Sequence, residues 1–307
     1  MAQEILPSAH LLEMFNPYMN DEARMIEVLR RTVALGFYRA VELPVFFDAA
    51  NRSAVRAIIE GERLLGTTFA GPYLAARGLS LSDLDEGARR RAVALVTQLA
   101  DYAAESGMRN LCVASGPDPA PELRGLAKAA LADSMIALGD HARDLGLNLT
   151  IEPLDRNAHK RQLIGPMEET VTWFAPIHDR CPNAYIHWDS AHEALGGIDL
   201  VRSLDLASPY LAQLHLCDAI LDPAHPCFGD LHMDCALAPG WETEGFLTPE
   251  VGARILSRVA SFYTPAGVSA VCASVEIHGH PGDHLWLIEE HARSFLRRCF
   301  DLAGVGA

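Results

Sequence analysis

Short apolar runs alternate along the chain with longer stretches in which apolar residues recur every three or four positions. That alternation marks βα units feeding a parallel sheet. A first strand falls within residues 4–12. Asp21 is a fitting N-cap for a helix that runs to about Leu35 and stops at Gly36. Tyr38 to Leu43 forms the second strand, followed by a helix from about Ala50 to Leu65. Thr67 to Ala70 forms the third, closed by Gly71-Pro72. A helix over about 86–106 ends at Gly107, before the fourth strand, Leu111 to Ala114. Another over about 120–144 ends at Gly146, before the fifth, Leu147 to Glu152. A helix from Pro166 to about Asp179 precedes the sixth strand, Ala184 to Asp189, and a short helix near 199–206 precedes the seventh, Leu211 to Cys217. An irregular stretch rich in Pro, Gly, His and Asp fills 218–247. A helix at 248–262 then leads to the eighth strand, Ser269 to Ile277, and a last helix covers about 283–303.

Eight strands and eight helices with no linker predict one α/β domain over residues 1–307, a (β/α)8 TIM barrel with 218–247 as an active-site loop insertion. A doubly wound open sheet is the alternative, weakened by the lack of a G-x-G-x-x-G turn after the first strand. Half of the 307 residues are hydrophobic, enough for a sizeable core. No apolar run reaches the roughly 18 residues that span a bilayer, and MAQEILPSAHLLEMF lacks the basic and apolar regions of a secretory signal. The seven cysteines are scattered with no C-x-x-C pair, which fits a reducing compartment, so the expected location is cytoplasmic. The net charge of −15, with Lys128 and Lys160 the sole lysines, argues against nucleic acid as a partner. The Arg89-Arg90-Arg91 run reads as a solvated helix face.

A barrel of this kind carries its active site at the C-terminal ends of its strands. Four successive strands end there in residues that suit a hard cation: Glu152 on the fifth, Asp189 on the sixth, His215 on the seventh and Glu276 on the eighth. Each alone has a plainer reading, a cap or surface Glu or a hydrogen-bonded core His. Their joint occurrence on neighbouring strands is much harder to obtain by chance. Three carboxylates and an imidazole suit Mn²⁺, Mg²⁺ or Co²⁺ better than a thiolate-seeking ion.

The segments L-T-I-E-P at 149–153, D-S-A-H at 189–192, H-L-C-D at 215–218 and V-E-I at 275–277 resemble the xylose isomerase-like TIM-barrel family of sugar isomerases and epimerases. The likeness is strongest over about 147–280, and G-F-Y-R-A-V-E-L-P at 36–44 looks like the family's second strand. It implies that Glu152, Asp189, His215 and Glu276 hold one divalent metal ion, Mn²⁺ first, with Co²⁺, Mg²⁺ or Zn²⁺ as the others. It implies that His192 lies beside the ion and contacts substrate oxygens. In the ketose 3-epimerase branch, the equivalents of Glu152 and Glu276 also form the acid/base pair. The chain departs from that branch at Ala158, where the epimerases carry another Glu, and lacks the Arg that commonly follows His215. A Pro-Gly turn survives at Ala238-Pro239-Gly240.

The expected activity is a metal-dependent isomerase or epimerase of a small sugar or polyol, working by proton abstraction beside a carbonyl or hydroxyl held by the metal. A dehydratase or lyase acting on inososes or 3-dehydroshikimate is the alternative. A metal-dependent apurinic endonuclease comes third, and a non-catalytic binding protein fourth. No membrane partner is expected, and a homo-oligomer is compatible with the sequence. Glu42, ending the second strand, is a candidate for substrate binding or for a plain cap. Arg156 and His159 are candidates for holding a carboxylate or phosphate, with a solvated loop the stronger reading for His159. His187 shares a face with Asp189 and packs deeper, so Trp188 points outward to the helices. His225, His232, His278 and His280 enrich the mouth in imidazoles, which an exposed loop would also explain.

Overall fold

The structure, a computed structural model, describes residues 3–234 and 245–306. Eight strands close into a barrel: β1 Ile5–His10, β2 Ala40–Leu43, β3 Leu65–Phe69, β4 Asn110–Ala114, β5 Asn148–Glu152, β6 Ala184–Asp189, β7 Leu211–Cys217 and β8 Val271–Glu276. Each pairs in parallel with the next, and β8 returns to β1. The predicted barrel is therefore the observed one. Five of the longer helices begin on short acidic or hydroxyl side chains that accept a backbone N–H from the first turn. Asp21, Asp48, Asp85, Asp199 and Thr248 all do this.

Differences from the sequence reading sit at element ends. The helix after β2 is Ala49–Gly61 and stops before the expected Leu65. Arg63 takes a left-handed φ of 55°, and Leu64 N–H turns back to the Ile59 carbonyl. The chain is thus free to start β3 at Leu65, paired with Ala40. Three short helices were not anticipated: Leu11–Met14, Gly71–Ala75 and Ser190–Leu195, which follow β1, β3 and β6. All are one turn or little more, too short for a periodic apolar pattern to reveal.

Alternation along the strands sorts side chains into two populations. Outward residues such as Val41, Leu111, Ile151, Ile186, Trp188, Leu214 and Val275 build the main hydrophobic core against the helices. The barrel interior is polar instead. At its base Asn148 donates to Asn110, Asn110 to Thr67, and Thr67 to Gln213, at 3.1, 3.2 and 3.0 Å. These bonds offset much of the desolvation cost of the buried amides and hydroxyl, while Gln213 Nε2 is left without a partner among the described residues. The register between β6 and β7 shifts by one residue at Ile186/His187, so that Asp189 lies opposite His215. Because the side-chain period along a strand is two, an unshifted register would put Asp189 beside the outward Leu214. The shift brings two inward side chains together at the mouth.

Behind β6, Trp188 Nε1–H donates to Ser203 Oγ at 2.8 Å, and the Ser203 hydroxyl donates to Glu193 Oε2 at 2.6 Å. Glu193 is 2% exposed, and burial pushes its carboxyl up to about 7 from the ordinary 4.5. A raised carboxyl pKa favours the folded state fully below about 4.5, and that contribution is lost as pH rises through about 7. Glu193→Gln, which keeps the shape without the charge, is expected to gain stability over the wild type at pH 8.5, by on the order of 3 kcal/mol relative to the difference at pH 4.5. Thermal melts of both proteins at the two pH values check this, and a pH-independent difference would refute it.

Candidate metal centre and active site

The side chains of Glu152, Asp189, His215 and Glu276 converge at the C-terminal mouth of the barrel, with one ligand atom from each lying within 4.8 Å of the others. His215 is at their centre. Its Nδ1 is 3.0 Å from Glu276 Oε2, 3.5 Å from Glu152 Oε1 and 3.9 Å from Asp189 Oδ2. On the other side of the ring, His215 Nε2 meets Glu42 Oε2 at 2.8 Å, and Glu42 Oε1 accepts from Ser8 Oγ at 2.9 Å. A buried carboxylate below the ring keeps a proton on Nε2 and makes Nδ1 the nitrogen that is turned to a cation.

Asp189 divides its oxygens between two tasks. Oδ1 accepts from the backbone N–H groups of Ala191 and His192, at 2.7 and 3.0 Å, and so caps Ser190–Leu195. Oδ2 is buried without a hydrogen-bond partner among the described residues. A buried anionic oxygen left this way is costly unless a cation meets it. That orphaned oxygen, beside two further carboxylates and an imidazole, fits a divalent ion that prefers oxygen and nitrogen donors.

The electrostatics of the group follow from crowding. Burial pushes the Asp189 carboxyl up to about 7, with Glu276, Asp230 and Glu152 adding to the effect and His192 opposing it. For Glu152, burial acts upward and His187 and His215 outweigh it, so its pKa falls. Glu276 is held well below the usual range because His232 and His215 overcome the effect of burial. His215 is driven well above the ordinary histidine value: Glu276 and Glu42 overcome the burial that acts downward. His187 lies beneath, its ring 4.0 Å from that of His215, and burial pulls it down to about 4, so it stays neutral.

A cavity of 310 Å³ opens above the set, lined by Glu152, Glu276, His192, His232 and Lys160 over an apolar floor that includes Leu12 and Phe69. His192 is buried, with Nδ1 3.4 Å from Asp155 Oδ2. Burial acts downward on it, but Asp189 and Asp155 raise its pKa to about 9. Glu42, a candidate for substrate binding, does not line this cavity; it is fully buried beneath His215. Arg156 is also turned away, since its guanidinium holds Glu169 Oε2 and the Leu163 carbonyl, both at 2.6 Å. His159 and His280 are exposed, and Trp188 faces the helices. His225 is held in a turn, its N–H donating to the Asp222 backbone carbonyl and its Nδ1 accepting from Cys227 N–H.

The insertion contributes Asp230 and His232, while residues 235–244, with the Ala238-Pro239-Gly240 turn, lie outside the described residues. Lys160 Nζ sits 3.0 Å from Asp230 Oδ2 and 3.2 Å from His232 Nε2, so this second acid–imidazole group is already matched by a fixed ammonium. Glu13 receives His232 and His278 at the rim. Burial raises the Glu13 carboxyl, and these imidazoles reverse the effect to give about 2. His10, at the end of β1, places Nε2 3.3 Å from Glu276 Oε1 and stacks on Phe69 at 5.1 Å. His10, Glu13, Asp230 and Lys160 were missed in the sequence. For His10 the signal existed, a histidine closing the first strand, but that strand's bounds were too loose to read its end. For Asp230 and Lys160 only the three-dimensional meeting of two loops identifies them.

The family model described as xylose isomerase-like TIM barrel matches residues 29–245. No curated protein matches the sequence. Among solved structures, the chain is similar to a D-psicose 3-epimerase from Clostridium cellulolyticum H10, solved with D-tagatose. The TM-score is 0.65 and the identity 14%, over 97% of this chain and 98% of that one. A 3-keto-D-glucoside 4-epimerase from E. coli gives 0.63 and 15%, over 97% and 99%. A family 2 AP endonuclease from Brucella melitensis gives 0.61 and 18%, over 92% and 96%. At these identities the likeness is one of fold.

Two outcomes follow for the site. Metal binding must displace the His215 Nδ1 proton and ionise Asp189, so apparent affinity for Mn²⁺ is expected to rise with pH from 6 to 8. Calorimetry in buffers of different ionisation enthalpy should register proton release on binding, and none would contradict the ligand set. Glu42→Gln leaves the four ligands in place but weakens the anchor of His215, and is expected to lower Mn²⁺ affinity by about 10- to 100-fold. An unchanged affinity would remove Glu42 from that role.

Proposed function

We propose that this chain, which belongs to the xylose isomerase-like TIM barrel family, is a divalent-metal-dependent isomerase or epimerase of a small sugar or polyol. The observation that carries the reading is the placement of Glu152 and Glu276. Both line the cavity, and they approach His215 Nδ1 from β5 and β8 at 3.5 and 3.0 Å. A substrate carbon held between them has one carboxylate on each side to take and return a proton. Both carboxyls are held below the ordinary range, with His215 beside each and His232 also beside the second, so either can act as base. A divalent ion held by Glu152, Asp189, His215 and Glu276 would supply charge to stabilise the negative oxygen that develops beside the reacting carbon. Of the candidate ions, Mn²⁺ suits the donor set first.

The remaining residues have positioning roles. His10 steadies the Glu276 carboxylate, and Phe69 and Leu12 keep one wall dry. His192, charged near neutral pH, donates a hydrogen bond to a substrate oxygen, and Asp155 and Asp230 orient its ring. The cluster of Lys160 and His232 favours one alternative, a dehydratase or lyase. Protonated His232 lies 3.7 Å from Glu276 Oε1 and is placed to protonate a departing hydroxyl. A phosphodiester-cleaving reading has less support: the net charge is −15, and Lys160 neutralises the second acidic group.

Turnover in deuterated water by the Mn²⁺-loaded enzyme is expected to place deuterium on the carbon beside the carbonyl. Glu152→Gln and Glu276→Gln should each slow that exchange by about 10²- to 10⁴-fold, with bound metal measured in parallel to separate lost base from lost ion. NMR of ketose and inosose reactions reads both the label and the product. A stereoisomer or an aldose–ketose pair supports isomerisation, and loss of water supports the lyase. Phosphodiester cleavage without exchange at carbon would overturn the assignment.

A further inference from the structure

A second hollow of 590 Å³ adjoins the cavity above the ligand set, and Gly71, Ala75, Ala114 and Gln162 line both. It lies between the loops that follow β3 and β4, on the face that carries the active site. Its lining is mainly apolar: Leu74, Leu79, Leu81, Leu84, Pro117 and Pro119. Of its polar groups, Gln162 Oε1, at the border with the first cavity, is buried without a hydrogen-bond partner among the described residues, while Ser80, Ser82 and Asp118 are engaged. Ser80 and Ser82 hydroxyls contact each other at 3.0 Å, and Asp118 holds the Arg124 guanidinium. Gly71 lies at the border of the two spaces, and an added Cβ there would meet nothing within 4 Å. Gly116, at φ +90°, has no such freedom: a Cβ there would lie 2.0 Å from Ser80 Oγ, so the hollow's inner wall requires glycine. Leu84 lines the hollow while 44% exposed, an apolar surface left facing water.

No step of the proton transfer uses this space, and a free monosaccharide seated against Glu152 and Glu276 brings no apolar group to fill it. We propose that the hollow is a subsite for an apolar substituent of the substrate. The substrate class is then a keto sugar with an aryl or alkyl group linked through oxygen at the end remote from the reacting carbon. The sugar end sits over the ligand set, and the substituent passes Gly71 to lie among Leu74, Leu79, Leu81 and Leu84. Removing apolar surface from water on both partners favours the longer substrate over the bare sugar. The inference rests on the sugar reading above and deepens it.

The test is calorimetric titration of the full-length, Mn²⁺-loaded chain with matched pairs: D-fructose, D-psicose, D-tagatose and D-sorbose, each beside its 6-O-benzyl ether. At least one ether is expected to bind about tenfold or more tightly than its parent. Leu84→Arg, which puts a charge in the hollow, should abolish that gain and leave the parent ketose's affinity and the bound metal unchanged. Leu79→Arg repeats the test from another part of the wall should the first variant fold poorly. Ethers no tighter than parents in every pair, or a gain that survives both substitutions, would overturn the subsite while leaving the sugar reading standing. If neither member of any pair binds, the sugar reading fails and the subsite falls with it.

Discussion

Three carboxylates share one buried point around the Nδ1 atom of His215, and the rest of the mouth is arranged to make that tolerable. Like charges gathered in a low-dielectric setting repel strongly and lose their hydration, so such a group persists only with positive partners close by. His215, held from below by Glu42, is the first of them, and His192 and His232 stand above, while His10 reaches Glu276 from β1. The unsatisfied oxygen of Asp189 marks where this compensation is incomplete and where a cation would complete it. Structure and proposed chemistry thus share a cause: what makes the site costly to bury is what lets it hold an ion and a base together.

The same constraint explains the polar barrel interior. A hydrocarbon-filled barrel would leave Glu42 and His187 without partners beneath the ligands. Here Ser8, Cys112 and the Asn148–Asn110–Thr67–Gln213 floor lie below and beside them. The aliphatic residues that stabilise the fold are displaced outward, between strands and helices, where the long helices bury their apolar faces. Stability and chemistry are carried by alternate residues of the same strands.

Much of this could be read without coordinates, because period two along a strand and barrel closure are both consequences of backbone geometry. The eight strands were recognisable from apolar runs bounded by glycines such as Gly36, Gly107 and Gly146, which take the left-handed φ that ends the preceding segments. The meeting of Glu152, Asp189, His215 and Glu276 was legible because three of them close their strands and His215 lies two residues before the end of β7. The one-residue shift between β6 and β7 leaves no trace in composition, although it aligns Asp189 with His215. Glu42 was visible but its depth was not, since a side chain at a strand end can serve the mouth or the ring below it. Lys160 and Asp230 come from irregular loops, where contact depends on long-range packing rather than on any local period. Arg156 followed a promising motif, yet Glu169 from the next helix captures it.

The central claim is that one divalent ion sits among these four side chains, with Glu152 and Glu276 facing the substrate. Crystals grown with Mn²⁺ and measured near the manganese absorption edge test it directly. The account predicts one anomalous-difference peak per chain, about 2.0–2.4 Å from His215 Nδ1 and from oxygens of Glu152, Asp189 and Glu276. A peak at Glu13, His232 and His278 instead, or none at the barrel mouth, would contradict it.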